Sequence, residues 1–207
     1  MLSDISLSEK RVLIRIDYNV PIEDGLIVDN YRIKKSLPTI NYCLDKGASI
    51  ILMSHLGRPK NVDSNYSLLP IRDELEKLLN KNIIFSNDCV SDDSIIKSSS
   101  LESGQIHLLE NLRFHSGELE NCPKFSQKLS FHGDVYINDA FGTAHRSHAS
   151  NVGVADLFEE KYYGLLIEKE LHYLNDSMQE PICPLTVVMG GAKIKGKIEL
   201  IEHFLNI

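Results

Sequence analysis

Short apolar runs recur along this 207-residue chain, each followed by a stretch of helical spacing, and no other feature narrows the possible folds as much. The runs are Val12–Ile16, Ser49–Ser54, Ile83–Phe85, Gln105–Leu109, Asp134–Ile137 and Leu185–Met189. Between them Tyr31–Lys46, Leu68–Leu79, Asp92–Ser99, Pro123–Ser130 and Gly164–Met178 read as helices, and Gly190-Gly191 opens a last one. Gly47 is placed to stop the first helix, and Pro38 inside it predicts a kink or a break. Glu23-Asp24-Gly25 marks a turn. Strands that alternate with helices build βαβ units around a parallel sheet. The expected fold is therefore α/β: a three-layer, Rossmann-like lobe with helices flanking the sheet. In such lobes ligands bind beyond the carboxyl ends of the strands, so the residues just after each run are where function is sought.

The net charge is −7, from 29 acidic and 22 basic residues, which argues against a uniformly basic nucleic-acid binder. No apolar run approaches the roughly 18 residues of a membrane span, and Met1–Ser6 lacks the pattern of a signal peptide. Cysteines 43, 89, 122 and 183 contain no CxxC pair, so a zinc site is not expected from spacing; they read as reduced thiols of a cytoplasmic protein.

Four runs end in unusual chemistry. Asp17-Tyr18-Asn19 follows the first, and Ser54-His55-Leu56-Gly57-Arg58-Pro59 the second. Glu110-Asn111-Leu112-Arg113-Phe114-His115 follows the run at 105, and Asn138 to His148 the run at 134. Of seven arginines, Arg58, Arg113 and Arg146 lie in these turns, and Arg32 opens the first helix. Arginine offers a planar fork that matches phosphate and carboxylate oxygens, and histidine adds donors and can carry charge beside a phosphate. Gly57 and Gly142 allow backbone to approach a ligand. If the turns converge, the cleft suits an anion, with Asp17 and Asn19 suited to hydroxyls. His107 and His132 lack this context and read as structural; His115, His145 and His148 read as structural or supporting.

Gly191 to Ile198 fits the GxxxxGK pattern of a P-loop, except that Ile198 stands where Ser or Thr binds magnesium. Lys193, Lys195 and Lys197 near a helix start oppose its dipole, and an anion there supplies the reason. The Leu185–Met189 run suits a strand buried on both faces, and it predicts a second sheet of which this sequence contains only the beginning.

Together the stretches Arg11–Pro21 (RVLIRIDYNVP), Ser54–Lys60 (SHLGRPK), Leu109–His115 (LENLRFH), Asn138–His148 (NDAFGTAHRSH) and Gly190–Ile198 (GGAKIKGKI) resemble the phosphoglycerate kinase family, in its order and spacing. The resemblance covers essentially the whole chain but about half of a typical member. It implies an N-terminal phosphoglycerate lobe over residues 1–163, an interdomain helix and linker over 164–181, and the incomplete start of a nucleotide-binding lobe over 182–207. It implies reversible phosphoryl transfer between 1,3-bisphosphoglycerate and ADP, giving 3-phosphoglycerate and ATP. By the same resemblance, Arg58, Arg113 and Arg146, with His55, hold the 3-phosphate, and Asp17 and Asn19 orient the glycerate. Tyr18, Leu56 and Gly57 belong to the substrate site, and Arg32, also substrate-binding, and Lys193 stabilise the transferring phosphoryl group. Gly191, Ala192, Lys193 and Lys197 meet the nucleotide. Mg2+ is implied as a companion of ATP or ADP, with no direct protein ligand in this chain, and the full-length protein is implied to be monomeric. Gly196 departs from the acidic residue many members carry, and Tyr18 from a common Phe.

Two other readings compete. A small P-loop NTPase built on Lys197 predicts tight ATP binding without a triose. A non-catalytic phosphate-binding module predicts anion binding without turnover.

Overall fold

The computed structural model describes Leu2, residues 5–179, and Thr186, Val188, Gly190, Ile198, Ile201 and Glu202, with side chains through Asn175 in the last long helix. The chain divides into two compact units, Met1–Ile167 and Glu168–Ile207.

The first unit is organised by a six-stranded, wholly parallel sheet. Its strands are β1 (Arg11–Arg15), β4 (Ser49–Met53), β5 (Ile83–Ser86), β6 (Ile106–Leu109), β7 (Val135–Asn138) and β8 (Lys161–Tyr163), in the order β5-β6-β4-β1-β7-β8. A small antiparallel pair, β2 (Ile22–Glu23) and β3 (Leu26–Ile27), closes around the Asp24-Gly25 turn. The period of two along each strand sends alternate residues to opposite faces. Val12 and Ile14 of β1 join Ile50, Leu52, Ile106, Leu108, Val135 and Ile137 in one core. That core lies under α1 (Tyr31–Asp45) and α2 (Leu69–Leu79), through residues such as Ile33, Ile40, Ile71 and Leu75. Leu13, Ile51, Met53 and Tyr136 point the other way and pack with Phe125 and Leu129 of α5 (Pro123–Ser130) and with Ala149, Val154 and Phe158. The result is a three-layer α/β lobe of the kind the sequence predicts.

Two more helices, α3 (Asp92–Ser99) and the short α4 (Ser116–Leu119), complete the first unit, and α6 (Leu165–Gln179) begins at its end. Three features depart from the sequence reading. Pro38 does not break α1, which runs to Asp45 with Gly47 beyond it at φ +78°. Pro38 lies on the solvent side of a helix whose Ile33, Ser36, Thr39, Ile40 and Cys43 are buried, so packing holds the turn while water can serve the carbonyl that the proline leaves without a donor. The edge strand β8 has no apolar run to announce it. A π-helical segment, Ala149–Gly153, is also invisible in the local pattern. The predicted strand Leu185–Met189 and the helix after Gly191 lie outside the described residues.

A buried polar line crosses the second core. His132 Nε2 donates to the Cys89 carbonyl (3.0 Å), which leaves Nδ1 to accept from Ser98 Oγ (2.6 Å). Ser98 Oγ then accepts from His107 Nδ1 (2.9 Å), and His107 Nε2 accepts from Ser86 Oγ (2.8 Å). Every proton in this line is placed by the carbonyl at its end, and both imidazoles are neutral. His107 and His132 are thus structural.

Candidate functional site

The strand order places β6, β4, β1 and β7 side by side, so the four turns beyond their carboxyl ends meet. Cross-turn hydrogen bonds join them. Ser54 Oγ donates to the Ile16 carbonyl (2.7 Å) and accepts from the Tyr18 amide (2.8 Å). Asn111 Oδ1 accepts from the Leu56 amide (3.2 Å), while its NH2 donates to the carbonyls of Leu56 (2.8 Å) and Tyr66 (2.9 Å). Asn19 Oδ1 accepts from the Gly57 amide (2.9 Å). Gly57 sits at φ +61°, and a Cβ there would overlap the Tyr66 ring, so this turn needs glycine on two counts.

Cations gather where the turns meet. Arg15, at the end of β1, continues the face of Leu13 and is fully buried. Its Nε donates to Ser150 Oγ (2.8 Å), its Nη1 to the Ile16 carbonyl and its Nη2 to His55 Nδ1 (3.0 Å). A guanidinium only donates, so Nδ1 accepts and the His55 proton sits on Nε2. Burial, and then Arg15, Arg113, Arg146 and His148, drive the His55 pKa down to about 2. The sequence allowed a charged imidazole among the cations of this cleft; here it is a neutral N–H donor, because a third or fourth positive charge in a buried cluster is too costly.

Arg113 is nearly buried. Its amide donates to Asn111 Oδ1 (3.0 Å) and its Nη1 to the Gly57 carbonyl, but its Nε is buried with no partner among the described residues. Burial, followed by the charges of Arg146 and Arg15, lowers its pKa. Arg58 is exposed beside an open depression of about 730 Å3 shared with Lys60 and Tyr66, and its charge also acts on Arg113. Among the described residues, neither Arg58 nor Arg146 has a side-chain hydrogen bond or ion pair.

The counter-charge comes from a residue the sequence did not single out. Glu118, on α4, is fully buried and accepts from Ser150 at both its hydroxyl (2.6 Å) and its amide (2.9 Å), with His148 Nδ1 3.7 Å away. Burial alone would raise its pKa, but His148, Arg15 and Ser150 together hold it low. Glu118, Ser150, Arg15 and His55 thus form one connected line from the core to the cleft. Arg15 carried a signal, being a charged residue inside an apolar strand. Glu118 carried none.

On the other side of the cleft, Asp17 Oδ2 pairs with Arg32 Nη1 (2.8 Å) and Oδ1 accepts from the Asn19 amide (3.1 Å). A Cβ on Gly142 would lie 3.2 Å from Asp17 Oδ2. The structure therefore brings together Asp17, Asn19, Arg32, His55, Gly57, Arg58, Arg113 and Arg146. Two expected residues do not present polar groups there. The Tyr18 phenol is buried against Ser36 Oγ (3.0 Å), and both backbone polar groups of Leu56 are taken by Asn111. Each reads as core because its apolar body is needed beneath the turn. Gly191, Ala192, Lys193 and Lys197 lie outside the described residues.

A parallel sheet whose carboxyl edge carries donors and guanidiniums defines an α/β lobe with a cationic cleft at the usual place for a ligand. Comparison with known proteins narrows this. The family model for phosphoglycerate kinase matches residues 2–207, and the chain belongs to that family. It is 45% identical over 207 residues to the phosphoglycerate kinase of Chlorobium luteolum, covering 99% of this chain and 52% of that protein. It is 47% identical over 214 aligned residues to that of Acidobacterium capsulatum, covering 99% and 53%. Among solved structures, phosphoglycerate kinase from Coxiella burnetii superposes with a TM-score of 0.88 at 37% identity, covering 99% of this chain and 51% of that one. The chain thus spans about half the length of the relatives it matches.

Proposed function

We propose that this chain supplies the phosphoglycerate-binding half of a phosphoglycerate kinase, over residues 1–163, and that 164–181 and 182–207 link it to and begin the nucleotide lobe. The observation that carries this is the buried Nε of Arg113, unpartnered among the described residues, beside Arg15, Arg146 and Arg58, in a cleft whose buried carboxylate, Glu118, is already engaged. A phosphate dianion supplies the missing acceptor and relieves the repulsion among the guanidiniums.

In this reading Arg58, Arg113, Arg146 and the Nε2–H of His55 hold the 3-phosphate. Asp17 and the Asn19 side chain orient the glycerate hydroxyl. Arg32, steadied by Asp17, and Lys193 face the phosphoryl group in transfer, while Gly191, Ala192 and Lys197 meet the nucleotide. The nucleophile that attacks ATP is the carboxylate of 3-phosphoglycerate, so the protein needs no base; it positions the substrates and stabilises charge. Asp17, the carboxylate on this side of the cleft, is already engaged by Arg32 and the Asn19 amide, which fits Mg2+ arriving with ATP or ADP rather than bound here. Transfer requires closure by the nucleotide lobe, which excludes water. The assembled enzyme is read as a cytoplasmic monomer.

Calorimetric titration of the 207-residue chain with 3-phosphoglycerate tests this. Saturable binding that glycerate without its phosphate fails to reproduce supports it. Equal binding of the two, or tight ATP binding without any triose, rejects it.

A further inference from the structure

We propose that Asp88, Cys89 and His115 form a binding site for a divalent cation of the zinc class. The three come from two turns of the sheet's carboxyl edge: Asp88 and Cys89 follow β5, and His115 ends the turn after β6. Asp88 offers a carboxylate oxygen, Cys89 its Sγ and His115 a ring nitrogen, all within 4.8 Å of one another. None of the three belongs to the cationic cleft described above.

The donor set selects the class of ion. A thiolate, an imidazole and a carboxylate suit a borderline cation such as Zn2+ and disfavour Mg2+ or Ca2+. Around tetrahedral zinc, ligand atoms stand about 3.3–3.8 Å apart, given metal–ligand distances of about 2.0–2.3 Å, so a separation of up to 4.8 Å closes by about 1 Å while the Asp88–His115 pair opens slightly. Asp88 Oδ2 and His115 Nε2 are already 3.0 Å apart. The frame around them is held. Asp88 Oδ1 accepts from the Val90 amide (2.6 Å), and the Cys89 carbonyl accepts from His132 Nε2 (3.0 Å). Such outer bonds orient ligands before the ion arrives.

The charges and protons balance. Binding releases the Cys89 thiol proton to solvent and shifts the His115 proton from Nε2, where it now serves Asp88, to Nδ1. Zn2+ with one thiolate and one carboxylate is neutral, which suits a site beside a depression lined by Glu120, Lys124 and Lys128. Of the three ligands His115 lines that depression of about 350 Å3, together with Cys122, and the fourth ligand in this proposal is a water reaching the ion from the His115 side. Spacing along the chain could not reveal this site, because its ligands fall at 88–89 and at 115 and belong to no CxxC pattern.

Titration of the full chain with Co2+ under reducing conditions tests the assignment. The expected result is one equivalent of tetrahedral cobalt with a thiolate-to-metal charge-transfer band, abolished in Cys89→Ser and weakened at least tenfold in affinity in His115→Gln and Asp88→Asn. Cys122→Ser should keep the band. Should Cys89→Ser not fold, the two ligands nearer the surface decide the matter. No band, a band indifferent to His115 and Asp88, or a band lost only in Cys122→Ser overturns the proposal.

Discussion

Arg15 Nη2 lies 3.0 Å from His55 Nδ1, and this contact fixes the proton of the buried imidazole on Nε2. The same guanidinium reaches Ser150, which reaches Glu118. Arg15→Met therefore removes the guanidinium hydrogen-bonded into this line and leaves Glu118 buried with less compensation. Loss of a charged donor from a buried hydrogen-bonded line costs about 1.5–3 kcal/mol. Urea denaturation should show a drop of that size, and the Arg15→Met/Glu118→Gln pair should recover part of it. Strict additivity of the two changes would count against the line.

Acid should unfold the lobe through its histidines. Burial above all lowers the pKa of His55 to about 2, His107 to about 3 and His132 to about 4, against an ordinary value of 6.5. Below that value the unfolded chain takes up protons that the folded one refuses. Stability is thus fully present well above pH 6.5 and falls as the pH drops toward the folded values. The slope is at most about 1.4 kcal/mol per pH unit for each histidine. Between about pH 6.5 and 5 ordinary carboxylates stay ionised in both states, so a loss of stability measured there by denaturant titration belongs to the imidazoles. A flat profile over that range refutes the neutral network.

Gly57→Ala should both destabilise the fold and weaken anion binding. A left-handed backbone costs a non-glycine residue roughly 1–2 kcal/mol, and overlap with the Tyr66 ring adds to that. The turn carries Arg58 and the carbonyl that anchors Arg113. Thermal melts and calorimetry on one preparation would show whether the two losses occur together.

Asp139→Ala should loosen the start of α6. Asp139 Oδ1 accepts from the amides of Leu166 (2.9 Å) and Ile167 (3.3 Å), and Oδ2 from Thr39 Oγ1 (2.6 Å). Removing a capping carboxylate costs about 1–2 kcal/mol. Faster hydrogen exchange at Leu166 and Ile167 than in the parent chain is the readout.

Arg58→Ala and Arg146→Ala should leave folding intact, since neither side chain is hydrogen-bonded among the described residues. Each should weaken 3-phosphoglycerate binding roughly tenfold or more, the usual worth of a charge-assisted contact. An unchanged calorimetric affinity for either would remove that residue from the phosphate site.

The sequence by itself determined the α/β class, most strand and helix positions, and the four turns that line the candidate site. Those properties are local. Val12 to Ile16 reads as a strand from its own residues, and Gly57-Arg58 or Asn111-Leu112-Arg113 reads as a turn in the same way. Only the tertiary structure decided the strand order, the sixth strand at Lys161–Tyr163, and which groups share the cleft. Arg15 and Ser150 are 135 residues apart, and Ser150 and Glu118 are 32 apart, yet they form one hydrogen-bonded line. Burial also settled charge. His55 is neutral, and Tyr18 turns its phenol inward, because the energy of a polar group depends on the partners and the water around it, and chain folding alone brings those together.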